Sequence, residues 1–165
     1  MLLKTQVKSE YLSYVVSKVD AEPLLTVGPH AFDLQLLEEV TVKDFNGSKR
    51  RAKLFKSLES LVSELDNEAA SCELWIDGSF LTKKAEPEDI DLTIVIDEAE
   101  LNSLSVYLQN VIIAVACGGH PLGKELDCFI IRAADQKARA YWDDFWSSGR
   151  DNTPKGYAVV KLGNP

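Results

Sequence analysis

The residues best placed to do chemistry lie in Asp77-Gly78-Ser79-Phe80-Leu81-Thr82-Lys83-Lys84-Ala85-Glu86-Pro87-Glu88-Asp89-Ile90-Asp91. The short apolar run before it, Glu73-Leu74-Trp75-Ile76-Asp77, reads as a strand that stops at the turn residue Gly78. Beyond an acidic loop, Asp89 and Asp91 flank the start of the β-branched run Ile90 to Ile96, a central-strand candidate. Residues two apart on a strand share a face at about 6–7 Å along the chain, so both carboxylates can reach one hard cation while Ile90 and Leu92 face a core. Two carboxylates about 4 Å apart repel by about 4 kcal/mol at an effective dielectric of about 20. The pair therefore calls for a counter-charge, which magnesium would supply. Gly78 lets a phosphate approach the backbone, and Ser79 offers a hydroxyl at the start of a short helix; together they can cradle a triphosphate.

A third acid is expected on a neighbouring strand, because nucleotidyl transfer uses one ion to hold the triphosphate and a second to activate the attacking oxygen. Asp127, in Glu125-Leu126-Asp127-Cys128-Phe129-Ile130-Ile131, fills that place. It would bind the second ion and accept the attacking hydroxyl's proton, while Lys83 and Lys84 would neutralise phosphate charge.

The elements that must position these residues follow from periodicity. After Ser48, a good N-cap, the residues Leu54, Phe55, Leu58, Leu61, Val62 and Leu65 recur at three and four, predicting an amphipathic helix that ends near Asn67. Asp97 is expected to cap one further helix through Leu101, Leu104, Leu108, Val111, Ile112 and Val115, ended by Gly118 and Gly119. A strand over Leu126 to Ile131, a helix over Gln136 to Trp146 and a last strand over Tyr157 to Leu162 complete the order. Residues 1–30 carry no clear period. The whole predicts one α/β (α+β) domain, a mixed sheet flanked by helices over 28–165, with 1–27 as an N-terminal extension.

Gly78-Ser79, a gap of nine residues, Asp89-Ile90-Asp91 and the later strand acid Asp127 resemble the signature of the DNA polymerase beta-like nucleotidyltransferase superfamily. The wider stretch from Gly28-Pro29-His30 to Pro154-Lys155-Gly156 resembles an uncharacterised minimal bacterial and phage-borne branch of it. The resemblance implies the nucleotidyltransferase fold and magnesium-dependent use of a nucleoside triphosphate such as ATP, with two ions and manganese as an alternative. Catalytic and metal-binding roles would fall to Asp89, Asp91 and Asp127, and nucleotide binding to Gly78, Ser79, Lys83 and Lys84. Nothing after Asp127 is long enough to form a separate acceptor-binding domain. Minimal members often work with a partner protein, some as antitoxins that adenylylate a toxin, so the implied acceptor is a protein hydroxyl. The alternative is a catalytically silent binding module of the same fold, acting as antitoxin or assembly subunit.

Composition narrows the remaining classes. With 18 Lys and Arg against 26 Asp and Glu, the net charge of -8 argues against broad nucleic-acid binding. No apolar run reaches membrane-span length and no basic-then-apolar leader opens the chain, so a soluble, cytoplasmic protein is expected. Cys72, Cys117 and Cys128 lack disulfide or zinc spacing and are expected to be buried free thiols. Gly118-Gly119-His120-Pro121-Leu122-Gly123-Lys124-Glu125 approaches a P-loop, but Glu125 replaces the Ser or Thr and a strand follows. His30 and His120 sit in expected loops without ligand partners. The cluster Lys49, Arg50, Arg51, Lys53 and Lys56 reads as a solvated helix face, and Trp142, Phe145 and Trp146 as core packing with base stacking as the alternative. Lys155 and Tyr157 are weaker nucleotide-contact candidates.

Overall fold

Five apolar segments build a mixed sheet in the computed structural model, which describes residues 21–163. The strands are β1 (Gly28–Phe32), β2 (Cys72–Asp77), β3 (Ile90–Ile96), β4 (Leu126–Arg132) and β5 (Gly156–Leu162), in the order β1-β5-β2-β3-β4. The β1/β5 and β3/β4 pairs are parallel, whereas β2 runs antiparallel to both β5 and β3. Described residues form a single domain of mixed α/β type. Positions 1–20, most of the expected N-terminal extension, lie outside the described residues.

Helices cover both faces. The first face packs Leu74, Ile76, Ile90, Leu92, Ile94 and Cys128 against α2 (Lys49–Asn67) and α4 (Val106–Ala116). The apolar stripe of α2, including Leu54, Leu58, Leu61 and Leu65, is fully buried there. The Ser48 side chain accepts a hydrogen bond from the Arg51 N–H, as an N-cap should. On the second face, α5 (Gln136–Trp146) covers Trp75, Val95, Ile131 and Tyr157 with Trp142 and Trp146. Both faces being covered explains why β3 reads as a continuous apolar run.

Three departures from the sequence reading have physical causes. Strand β1, preceding the short helix α1 (Leu34–Glu38), lies in the segment without a period. It is an edge strand with alternating burial, where the missing N–H of Pro29 is tolerated. The helix expected after Asp97 is two helices, α3 (Glu98–Ser103) and α4, because Leu104 is extended and Ser105 restarts the chain as an N-cap bonded by Leu108. Glu68 fixes that break by accepting from the Ser105 N–H at 2.7 Å and from its hydroxyl. Third, all three cysteines are free but Cys117 is exposed, because it caps the end of α4 ahead of Gly118 at positive φ.

The basic cluster on α2 is a solvated face only in part, with Lys49, Lys53 and Lys56 exposed but Arg50 and Arg51 turned into contacts. Arg51 is fully buried, and its guanidinium donates five hydrogen bonds of 2.6 to 3.2 Å to the carbonyls of Thr41, Phe80, Thr82 and Lys84. The Phe45 ring lies 3.6 Å from its central carbon. Arg50 donates to the carbonyls of Pro87 and Glu88, and Lys53 pairs with Glu125 at 2.8 Å. The start of α2 thus anchors the loop between Gly78 and Asp89. Residues ahead of β1 tie the same loop from outside, through Lys83 N–H to Glu22 O at 2.8 Å and Leu24 N–H to Leu81 O at 2.9 Å.

Candidate active site

Strand register brings the acids together. Asp77, the last residue of β2, stands opposite Asp91 on β3, and Asp91 stands level with Asp127 on β4. Neighbouring strands lie about 4.8 Å apart, so three carboxylate-bearing residues sit side by side across adjacent strands. All three share the α5 face with Trp75, Thr93 and Phe129, by the two-residue alternation that sends Ile76, Leu92 and Cys128 to the other core. Asp89, one step before β3, joins the same end of the sheet.

Gly78 makes this convergence possible. Its φ is +79°, a conformation side chains rarely adopt, and a Cβ there would fall 1.6 Å from Asp91 Oδ2. The chain then enters a short 3-10 turn, Gly78–Leu81, whose Ser79 carbonyl accepts from both the N–H and the hydroxyl of Thr82. Ser79 is therefore placed at the strand end beside the acids.

The electrostatics match the crowding. Burial, then the negative charges of Asp89 and Asp127, push the Asp91 carboxyl up to about 6, against the pull of Lys155 and Arg150. Burial and the charge of Asp127 likewise raise Asp89. Asp77 has no exposed surface, and burial lifts it to about 7 even though Lys155 opposes the shift. Lys155 Nζ donates to Asp77 Oδ2 at 2.6 Å, while Asp77 Oδ1 is buried with no partner.

Asp77 is the residue that sequence reasoning missed, quoted there only as a strand end. Its position before a positive-φ glycine and in phase with Trp75 was the available signal. Of the expected lysines, Lys83 pairs with Glu22 at 2.8 Å, and Lys84 pairs with Glu88 at 3.8 Å while its charge also acts on Asp89. A cation hydrogen-bonded directly to one of the acids is Lys155, from the turn before β5. His30 Nε2 donates to Thr26 O, 2.7 Å away, and His120 Nδ1 accepts from the Leu122 N–H.

Every donor at this end is a carboxylate, hydroxyl or carbonyl oxygen, the set preferred by magnesium. Among the described residues, no three His, Cys, Asp or Glu side chains already stand close enough together to hold an ion. The acids converge without closing into a cage. A cleft of about 540 Å³ opens on the same face, lined in part by Trp75, Arg139 and Tyr157. Its polar groups satisfy one another, Glu73 with Arg139 at 3.1 Å and Tyr157 with Asp143 at 2.8 Å. The unsatisfied buried oxygen belongs to the acid site.

Comparison by family places the chain. A model described as a family of unknown function, DUF6932, matches residues 17–161. The chain belongs to that family. The DUF6932 match takes in all of β1 to β4, the acids and Lys155, together with β5 up to its last residue. No curated protein and no solved structure matches the chain.

Proposed function

We propose that the chain is a magnesium-dependent nucleotidyltransferase, moving a nucleoside monophosphate from a nucleoside triphosphate to a hydroxyl acceptor on a protein. The observation that carries this reading is the alignment of Asp77, Asp91 and Asp127 across three adjacent strands, at an end that Gly78 leaves clear. The donor set fits magnesium: all-oxygen and partly desolvated, with burial and then the charges of Asp89 and Asp127 disfavouring a bare Asp91 carboxylate. Asp89, Asp91 and Asp127 would hold the ions. Magnesium bound there would neutralise the triphosphate and make the acceptor hydroxyl easier to deprotonate.

The chain's own groups supply the rest. Gly78 keeps side-chain bulk away from the phosphates, and Ser79 offers its hydroxyl. Lys155, held on Asp77, joins Lys83 and Lys84 as a cation available to the phosphates. Asp127 is the most exposed of the acids and lies on the edge strand β4, where an acceptor on another protein can reach it. The acceptor oxygen forms a bond to the α-phosphorus as the bond to the pyrophosphate oxygen breaks, and the hydroxyl proton passes to the Asp127 carboxylate.

The second reading is a binding module without turnover, favoured by the open spacing of the carboxylates among the described residues. Each radiolabelled triphosphate, incubated with magnesium and the chain, alone and with a cell extract, separates the two. Label transfer that disappears in Asp89→Asn plus Asp91→Asn supports the enzyme. Magnesium-dependent binding without transfer supports the module, and absence of both binding and transfer overturns the site.

A further inference from the structure

We infer that the exposed rings of Phe129 and Phe145 form a stacking platform for the base of the bound nucleotide, an inference that rests on the nucleoside-triphosphate reading above. Phe129 follows Asp127 by two residues on β4 and shares its face, about 6–7 Å further along the strand. Phe129 is 37% exposed, and Phe145, in the last turn of α5, is 49% exposed. They are linked through Trp142, whose ring centroid is 4.5 Å from Phe129 and 5.4 Å from Phe145. Core packing accounts for Trp146, which is buried behind them, but not for the exposure of the two phenylalanines or of Tyr141, whose ring stacks beside Phe145 at 6.0 Å.

The platform is fixed relative to the acids. Trp146 lies 4.8 Å from Phe145 and 6.4 Å from Phe129, and its Nε1 donates to Thr93 Oγ1 at 3.0 Å. Thr93 follows Asp91 by two residues on β3, so one strand carries both the acid and the anchor of the aromatic cluster. The neighbouring charges define the ligand. One end meets carboxylates that favour a divalent ion, with Lys155 and Arg150 near enough for their charges to act on Asp91. The other end meets flat apolar rings. A molecule with a metal-binding polyanion at one end and a planar ring at the other satisfies both. Phenylalanine offers a base no hydrogen-bond donor or acceptor, so the platform takes any base by its π face and favours purines only through their larger area.

The test measures equilibrium binding of the intact chain to ATP and to inorganic tripolyphosphate, each with magnesium. Phe129→Ala and Phe145→Ala should each weaken ATP binding about 5- to 100-fold and leave tripolyphosphate binding unchanged. Phe145→Trp should restore ATP binding, and ATP but not tripolyphosphate should quench tryptophan emission. ATP binding that needs Asp91 yet is indifferent to both alanine variants overturns the platform and spares the proposed function. Failure of both ATP and tripolyphosphate to bind in an Asp91-dependent way overturns the proposed function, and the platform with it.

Discussion

Lys155 Nζ lies 2.6 Å from Asp77 Oδ2, closing an ion pair between the turn before β5 and the end of β2. Asp77 is wholly buried and Lys155 nearly so, its side chain 14% exposed. Removing one partner strands the other, and breaking such pairs typically costs about 3–5 kcal/mol. Lys155→Met should therefore lower stability by about 3 kcal/mol in urea unfolding, toward the low end because Asp77 can take up a proton. Adding Asp77→Asn should recover part of the loss. A single variant as stable as the parent would show the pair to be incidental.

Gly78→Ala separates folding from function. The positive φ alone costs a non-glycine residue about 1–2 kcal/mol. The larger effect is at the acid site, because the new Cβ occupies the place of the Asp91 carboxylate and must displace it. Thermal unfolding should shift modestly while magnesium-dependent nucleotide binding is abolished. Retained binding would mean that the Asp91 carboxylate does not act from this position.

Arg51 is predicted to be irreplaceable by lysine. Its five donors meet four carbonyls in a fixed fork, and an ammonium carries only three. Arg51→Lys should leave buried carbonyls unpaired at about 1–3 kcal/mol each. The same variant should open the Gly78 to Asp89 loop to proteolysis before the rest of the domain. Denaturant curves and mass mapping of the first cleavage site check both outcomes.

The pH dependence of stability carries a definite sign. In the folded chain Asp91 titrates near 6, whereas an unfolded aspartate titrates at about 3.9. Between those values the native state binds more protons than the unfolded one, so this group's contribution falls as pH rises through that window. Its largest slope is about 1.4 kcal/mol per pH unit. With divalent ions chelated, Asp91→Asn should remove that downward component between about pH 4 and pH 6. Addition of magnesium to the parent should do the same. Identical profiles for parent and variant would contradict the crowding of the acids.

What was legible in the sequence was whatever repeated locally. Ser48 and the leucine spacing marked α2, and the β-branched run marked β3, because each element's periodicity is written in its own residues. The convergence of Asp89, Asp91 and Asp127 on one sheet end followed from alternation plus two strands. Asp77 escaped because its partner is 78 residues away and no local pattern announces a buried ion pair. Arg51 looked solvated because the carbonyls that bury it come from a loop about 30 residues on. The break at Ser105 was hidden because Leu101, Leu104 and Leu108 keep helical spacing across it, leaving Ser105 as the sole mark of a restart.

The strand order sets a schedule for assembly. Strand β5 lies between β1 and β2, so neither of those strands has its final neighbour until the last strand arrives. A chain emerging from the ribosome can pair β2, β3 and β4 early, yet it then presents a raw β2 edge that invites pairing with another chain. Asp77 waits at the end of that edge, and the same segment that seals the gap delivers the lysine that neutralises it. Arrival of β5 thus completes the sheet and neutralises Asp77 in one event, making the interval before it the period of greatest exposure to aggregation.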